Sequence, residues 1–324
     1  MADDRAVLTI ATGKRLYVDL AINLARSFFH WHDDDGITFQ LVTDLPELIP
    51  PDIRDKIELI QIKPGELGVG FTPKLHLDKL VTHAQTLFID SDCLLFENIG
   101  WLYDRLKGHP VSVVGGYISD GEWFGDMKSI CRQFNIPHMS KFNGGLYYLE
   151  KGKTASAVYE TARELEGRYD DIGFVRLRGR PNDEVLMAMA MQLNNQQPIP
   201  DDGTIMSDPQ ACPGGYKIDV ISGKRWLLNP PKPHPRHQDW YPFQKVSPAI
   251  VHFLGSYTLD YPYKTEAFRL MKLSTASLNI LANITAALTI KLPGALREST
   301  KNLLRPLYHK FFGPRKINQS ERVV

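Results

Sequence analysis

A chain of 324 residues, 43% hydrophobic and 23% charged, is long enough for one large α/β domain with an extension and apolar enough to fill a sizeable core. Its formal net charge of +1 gives no electrostatic reason to expect a nucleic-acid partner. Three widely spaced cysteines, Cys93, Cys131 and Cys212, form neither a zinc spacing nor an even disulfide framework, so a reducing, cytoplasmic setting is expected. The start "MADDRAVLTI" is acidic and lacks the apolar block of a signal peptide. The uncharged stretch from Leu273 to Ile290 holds too many Ser, Thr and Asn residues to cross a bilayer.

In chain order, "AVLTIATGKRLYVDLAINLARSFF" predicts a strand, a Thr-Gly turn and a helix, with Leu16, Leu20, Ile22, Leu24 and Phe28 on the apolar face. "ITFQLVTD" and "KIELIQIKP" predict two further strands, "KLHLDKLVTH" a helix and "TLFIDSD" the strand after it. "HPVSVVGGY" and "KFNGGLYYLEKG" are expected as single strands, "TASAVYETARELEGRY" and "NDEVLMAMAMQL" as helices. This alternation argues for a mostly parallel mixed sheet, Rossmann-like, with helices on both faces. Residues 198–248 are rich in Pro, Gly and aromatics and read as irregular. We place a catalytic body at residues 1–265 and a helical tail at 266–324.

The segment "QTLFIDSDCLLF" sets two carboxylates, Asp90 and Asp92, into the most hydrophobic run of the chain. In an open parallel sheet, ligands collect where strands end. Two buried, unpaired carboxylates there are costly unless a positive charge compensates them. A divalent cation is the simplest compensator, because hard oxygen ligands grip it and leave positions for phosphate. An ordinary turn cap is the bland alternative.

Asp-x-Asp after a buried strand resembles the nucleotide-sugar signature of GT-A-fold glycosyltransferases. The specific likeness is to family-8 retaining enzymes, which include glycogenins and bacterial lipopolysaccharide galactosyltransferases. Five blocks carry it in order: "LTIATGKRLYVDLAINLARS", "TPKLHLDKLVTHAQTLFIDSDCLLFENIGWLY", "FNGGLYYLEKG", "NDEVLMAMAM" and "VHFLGS". The resemblance implies a metal-dependent hexosyltransferase that takes a UDP-sugar donor and a saccharide or lipid-linked acceptor. It implies Mn²⁺ or Mg²⁺ on Asp90, Asp92 and His252, with Ser91 between the two carboxylates. It gives the diphosphate Lys74, Gly255 and, in place of a family lysine, Lys264. Tyr17 would stack on uracil, and Thr9 and Ala11 would offer backbone groups to the base. Asn143 and Asp183 would face the reacting sugar.

The chain departs from that pattern in three places. Gly116 stands where an Asp is usual, with Asp120 the available replacement. Glu184 follows Asp183 where Gln is usual, and a late Lys-Pro-Trp is absent. A sugar-1-phosphate nucleotidylyltransferase would need a Gly-rich basic loop after the first strand, and "TIATGKRLY" is too poor in glycine. A non-catalytic nucleotide-sugar scaffold is the remaining alternative. From Arg269 onward ten Lys/Arg and two Glu give net +8, leaving −7 for the rest. Leu304, Leu307 and Phe311 share one face of this tail and Arg297, Lys301 and Arg305 another, with Pro306 expected to kink it. Such a helix suits an anionic membrane surface, which would make the protein peripheral to a membrane's inner face.

Overall fold

A computed structural model describes residues 4–33, 35–275 and 280–313. Strands follow in the order β1 (Arg5–Ile10), β2 (Ile37–Thr43), β3 (Glu58–Gln61), β4 (Gln85–Ile89), β5 (Cys93–Leu95), β6 (Val111–Ser112), β7 (Val114–Ile118), β8 (Met139–Phe142) and β9 (Leu146–Glu150). The short strands β10 (Ile199–Pro200), β11 (Met206–Ser207), β12 (Tyr216–Asp219), β13 (Lys224–Leu228), β14 (Lys245–Val246) and β15 (Ile250–His252) complete the set. The central sheet runs β3-β2-β1-β4-β9-β6. Its first four strands are mutually parallel, and β9 lies antiparallel to both β4 and β6.

Both faces of this sheet are covered, which is why its strands read as continuous apolar runs. Along β4, side chains alternate between two cores. Leu87 and Ile89 pack with Val18, Leu24 and Phe28 of the helix Arg15–Trp31 and with Leu102 and Leu106 of the helix Gly100–Leu106. Phe88 points the other way, among residues of the helices Lys153–Glu166 and Asp183–Leu193. The expected mixed sheet with helices on both faces is what the chain adopts.

Three predicted elements differ in detail. "KLHLDKLVTH" forms a 3-10 turn, Thr72–His76, and a single helical turn, Leu77–Leu80. "KFNGGLYYLEKG" breaks into β8 and β9, which join different sheets, so Asn143 to Gly145 become a corner. "HPVSVVGGY" divides likewise into β6 and β7. The helix Tyr261–Thr275 runs across residue 265 without a break. Within it Leu270 is buried in a core cluster, Glu266 accepts the Val220 N–H at 2.7 Å, and Arg269 pairs with Asp219 at 2.9 Å. Packing against the body therefore continues beyond residue 265. The helix Leu292–Phe312 follows, with Pro306 inside it.

Candidate active site

The carboxyl ends of β1 and β4, neighbours in the sheet, open into a cleft of about 1480 Å³. Asp90, Ser91 and Asp92 lie on its floor, directly after β4. Pairing of β5 with β15 sets His252 opposite Cys93 and so beside Asp92. His252 Nε2 stands 2.9 Å from Asp92 Oδ1 and 3.7 Å from Asp90 Oδ2. Its Nδ1 lies 2.9 Å from Asn143 Oδ1, an oxygen that only accepts, so Nδ1 donates and Nε2 is aimed at the carboxylates.

Burial alone would depress the His252 pKa, but the Asp92 carboxylate overrides it and lifts the ring to about 9. Asp92 is pushed up by burial, and the adjacent imidazolium outweighs that and holds it below its ordinary value. Asp90 stays raised, because burial exceeds the pull of Lys74 and His252. In this state a protonated ring supplies the positive charge that a divalent ion would supply. Asp92, Cys93 and His252 offer donor atoms within 4.8 Å of one another. Burial drives the Cys93 thiol well up, so it stays neutral and is a poor ligand for a hard ion. The carboxylates and the imidazole are the donors that fit Mn²⁺ or Mg²⁺.

Lys74 Nζ donates to Asp90 Oδ2 and to the Gly144 carbonyl, both at 2.8 Å, and stands 3.5 Å from Asp183 Oδ2. Burial works against its charge, but Asp183 and Asp90 hold it protonated. Asp183 opens its helix, yet Asn182 does the capping by accepting the Glu184 N–H at 2.7 Å. The Asp183 carboxylate is thus left for the site, where it accepts from the Tyr147 hydroxyl at 2.7 Å. Glu184 accepts the Gly144 N–H at 2.7 Å; burial, then the charge of Asp183, push it up to about 7.

The Gly144-Gly145 corner makes this closeness possible. A Cβ on Gly145 would stand 2.5 Å from His252 Nδ1, and one on Gly144 would stand 3.1 Å from Asp183 Oδ2. Only hydrogen fits at Gly145, which explains why the chain breaks β8 from β9 with two glycines.

No family model and no curated protein matches the chain. Solved structures do. The galactosyltransferase LgtC in complex with donor and acceptor sugar analogues superposes with a TM-score of 0.51, at 13% identity, over 83% of this chain and 95% of that one. An active-site variant of LgtC, in which a glutamine is replaced by glutamate, superposes with a TM-score of 0.51 at 14% identity, over 77% and 87% of the two chains. The chain has the GT-A glycosyltransferase fold.

Within this GT-A fold the cleft gathers Tyr17, Lys74, Asp90, Ser91, Asp92, Asn143, Asp183, His252 and Gly255. Tyr17 is 41% exposed at the cleft edge beside the end of β1, with the Lys14 ammonium over its ring at 5.9 Å from the centroid. Thr9 and Ala11 do not line the cleft; their neighbours Ile10 and Thr12 do. Thr9 is fully buried inside β1, and the Ala11 N–H and C=O already bond to Val42 and Thr43. Lys264 is exposed on the helix Tyr261–Thr275 and is not a lining residue. Asp120 likewise lies outside the lining, on an exposed turn.

Asp208 was missed by sequence reasoning. It is buried in the cleft wall, accepts the Gln210 and Ala211 N–H groups at 2.8 Å, and lies 3.4 Å from Asn143 Nδ2. Burial raises its pKa. Asp208 follows the short run Ile205-Met206-Ser207, which repeats, more faintly, the signal given by Asp90.

Proposed function

We propose that this chain is a metal-dependent retaining glycosyltransferase that moves a hexose from a UDP-sugar to an acceptor hydroxyl. One observation carries the reading. Two carboxylates and an imidazole converge at the carboxyl end of a central parallel strand, within a cleft that also holds Asp183, Lys74 and, at its edge, Tyr17. A divalent ion on Asp90, Asp92 and His252 would neutralise charge on the leaving diphosphate.

The chain's own residues do the rest. Asn143 fixes the His252 ring through Nδ1, and Tyr147 and Lys74 fix the Asp183 carboxylate. Held there, Asp183 stabilises the positive charge that develops at the anomeric carbon in an oxocarbenium-like transition state. No side chain need act as a nucleophile. With donor and acceptor on one face of the reacting carbon, the leaving phosphate oxygen takes the acceptor proton and orientation supplies most of the rate.

The acceptor is a saccharide or a lipid-linked one. Among the described residues no helix is long and apolar enough to cross a membrane. The helix Leu292–Phe312 nevertheless leaves Leu304, Leu307, Phe311 and Phe312 exposed, the last two above 70%. With its basic residues, that face supports reversible attachment to an anionic surface in the cytoplasm.

The test is a panel of UDP-sugars incubated with purified protein and Mn²⁺, with UDP release and the anomeric configuration of the product read by NMR. Metal-dependent UDP release with retained configuration is expected. An inverted product, or no release from any donor, contradicts the reading.

A further inference from the structure

The turn 177–180 brings left-handed backbone to the cleft edge, as Phe124 and Gly125 also do. Leu177 and Arg180 exchange both backbone hydrogen bonds, at 2.8 and 3.0 Å, closing a two-residue loop of Arg178 and Gly179. Both loop residues have positive φ, +52° and +76°. Glycine adopts this readily; arginine does so only under strain, which the paired backbone and the buried Leu177 hold in place. Strain of this kind concentrates where a side chain is needed in one position.

The segment carries three arginines with different partners. Arg176 is fully engaged with Asp170, through two hydrogen bonds of 2.8 and 2.7 Å. Arg178 and Arg180 line the cleft, and neither guanidinium has a carboxylate partner among the described residues. Arg180 lies along the loop at Gly70; a Cβ there would stand 2.6 Å from its Cδ. Arg178 reaches across the cleft to Gly255, its Nη2 4.0 Å from where a Gly255 Cβ would be. Gly255 begins the turn three residues after His252, so this guanidinium and the candidate metal site share one cleft.

Among the other basic residues of the cleft, Lys14 and Lys141 line it without a carboxylate partner among the described residues, but each carries a single ammonium rather than a planar fork. Lys74 is neutralised by Asp90 and Asp183, and Lys264 is exposed outside the cleft. A diphosphate entering beside Asp90 and Asp92 needs a further cation, and a guanidinium fork matches phosphate oxygens better than any other side chain.

We infer that Arg178, presented by this strained turn, is the protein's cationic clasp for the diphosphate of a nucleoside diphosphate ligand, in the place the sequence had suggested for Lys264. The inference rests on the donor reading above.

Calorimetry of the full chain with Mn²⁺ tests this, using UDP and uridine as ligands. Arg178→Gln is expected to weaken UDP binding about 10- to 100-fold, the range of a charge-assisted contact, and uridine binding less than twofold. Arg178→Gly removes the guanidinium and relieves the turn, so it should lose the same UDP affinity while melting no lower than the parent protein. Lys264→Gln should leave UDP affinity unchanged. Unchanged UDP affinity in Arg178→Gln or Arg178→Gly overturns the clasp, as does an equal loss for uridine and UDP. If the parent protein itself fails to bind UDP, the donor reading falls first and the clasp with it.

Discussion

The two walls of the cleft are built on opposite principles. One wall is made of strand ends and a helix start, and its charged groups are paired before any ligand arrives: Lys74 with Asp90 and Asp183, His252 with Asp92, Asn143 with His252, Tyr147 with Asp183. The other wall is formed by the loops 65–71 and 175–180. These are largely exposed, with left-handed backbone at Gly65, Gly68, Gly70, Arg178 and Gly179, and cations awaiting partners. The first wall is preorganised for charge chemistry, where displacement of one group disturbs all the others. The second is suited to closing on a ligand, and its residues should change affinity without changing stability.

The largest effects are expected on the paired wall. Asp183→Asn still accepts from the Tyr147 hydroxyl, so the fold should survive and UDP affinity should hold within about threefold. Turnover should fall about 10²–10³-fold, the scale of removing one transition-state charge partner. Turnover near that of the parent protein would take Asp183 out of the chemistry. Next in size is Gly145→Ala. A methyl group 2.5 Å from His252 Nδ1 must displace the ring. Mn²⁺-dependent UDP affinity should drop about 10- to 100-fold, as for loss of a group that orients a ligand; calorimetry with UDP and Mn²⁺ reads it.

Glu184 makes the paired wall sensitive to pH. Its carboxyl is raised from 4.5 to about 7 in the folded, metal-free protein. The folded state therefore holds this proton more tightly than the unfolded chain, and stability falls as pH rises from about 4.5 through about 7. The shift corresponds to at most about 3 kcal/mol. Glu184→Gln keeps the acceptor for the Gly144 N–H and removes this loss, so it should melt higher than the parent protein at pH 8 and no higher at pH 4.5. An equal melting temperature at pH 8 would show that Glu184 ionises there without strain. The smallest effect belongs to a third region. A chain ending near Leu292 should keep slow UDP-sugar hydrolysis, because every proposed site residue precedes the cut, and should lose salt-sensitive sedimentation with anionic vesicles. Full-length protein that stays in the supernatant with such vesicles at low salt would remove the membrane role.

The paired wall was largely legible in the sequence, and the loop wall was not. Asp90, Asp92 and His252 each break an apolar run, and that violation of the burial rule points to a compensating charge. Asp183 was ambiguous because an acidic helix start has two uses; only the observed Asn182 cap separates them. Thr9 and Ala11 lie behind the cleft lining, because strand backbone groups serve the sheet; Ile10 and Thr12 line it. Charge and chain position alone point to Lys264, but helix rotation decides where it points, and it lies exposed outside the lining. Arg178 and Asp208 sit in irregular segments whose contacts are non-local, with Gly255 in one case and Asn143 in the other. No periodicity announces such pairs.

The most direct measurement of the central claim is a calorimetric titration of UDP into the protein with and without Mn²⁺, for the parent chain and for Asp92→Asn. The parent chain should bind UDP tightly only with the metal. The variant should keep its fold by circular dichroism and lose most of that metal-dependent affinity, because a neutral amide cannot share the ion with Asp90 and His252. Equal Mn²⁺-dependent UDP affinity in the two proteins would contradict the assignment of this cluster as the metal and diphosphate site.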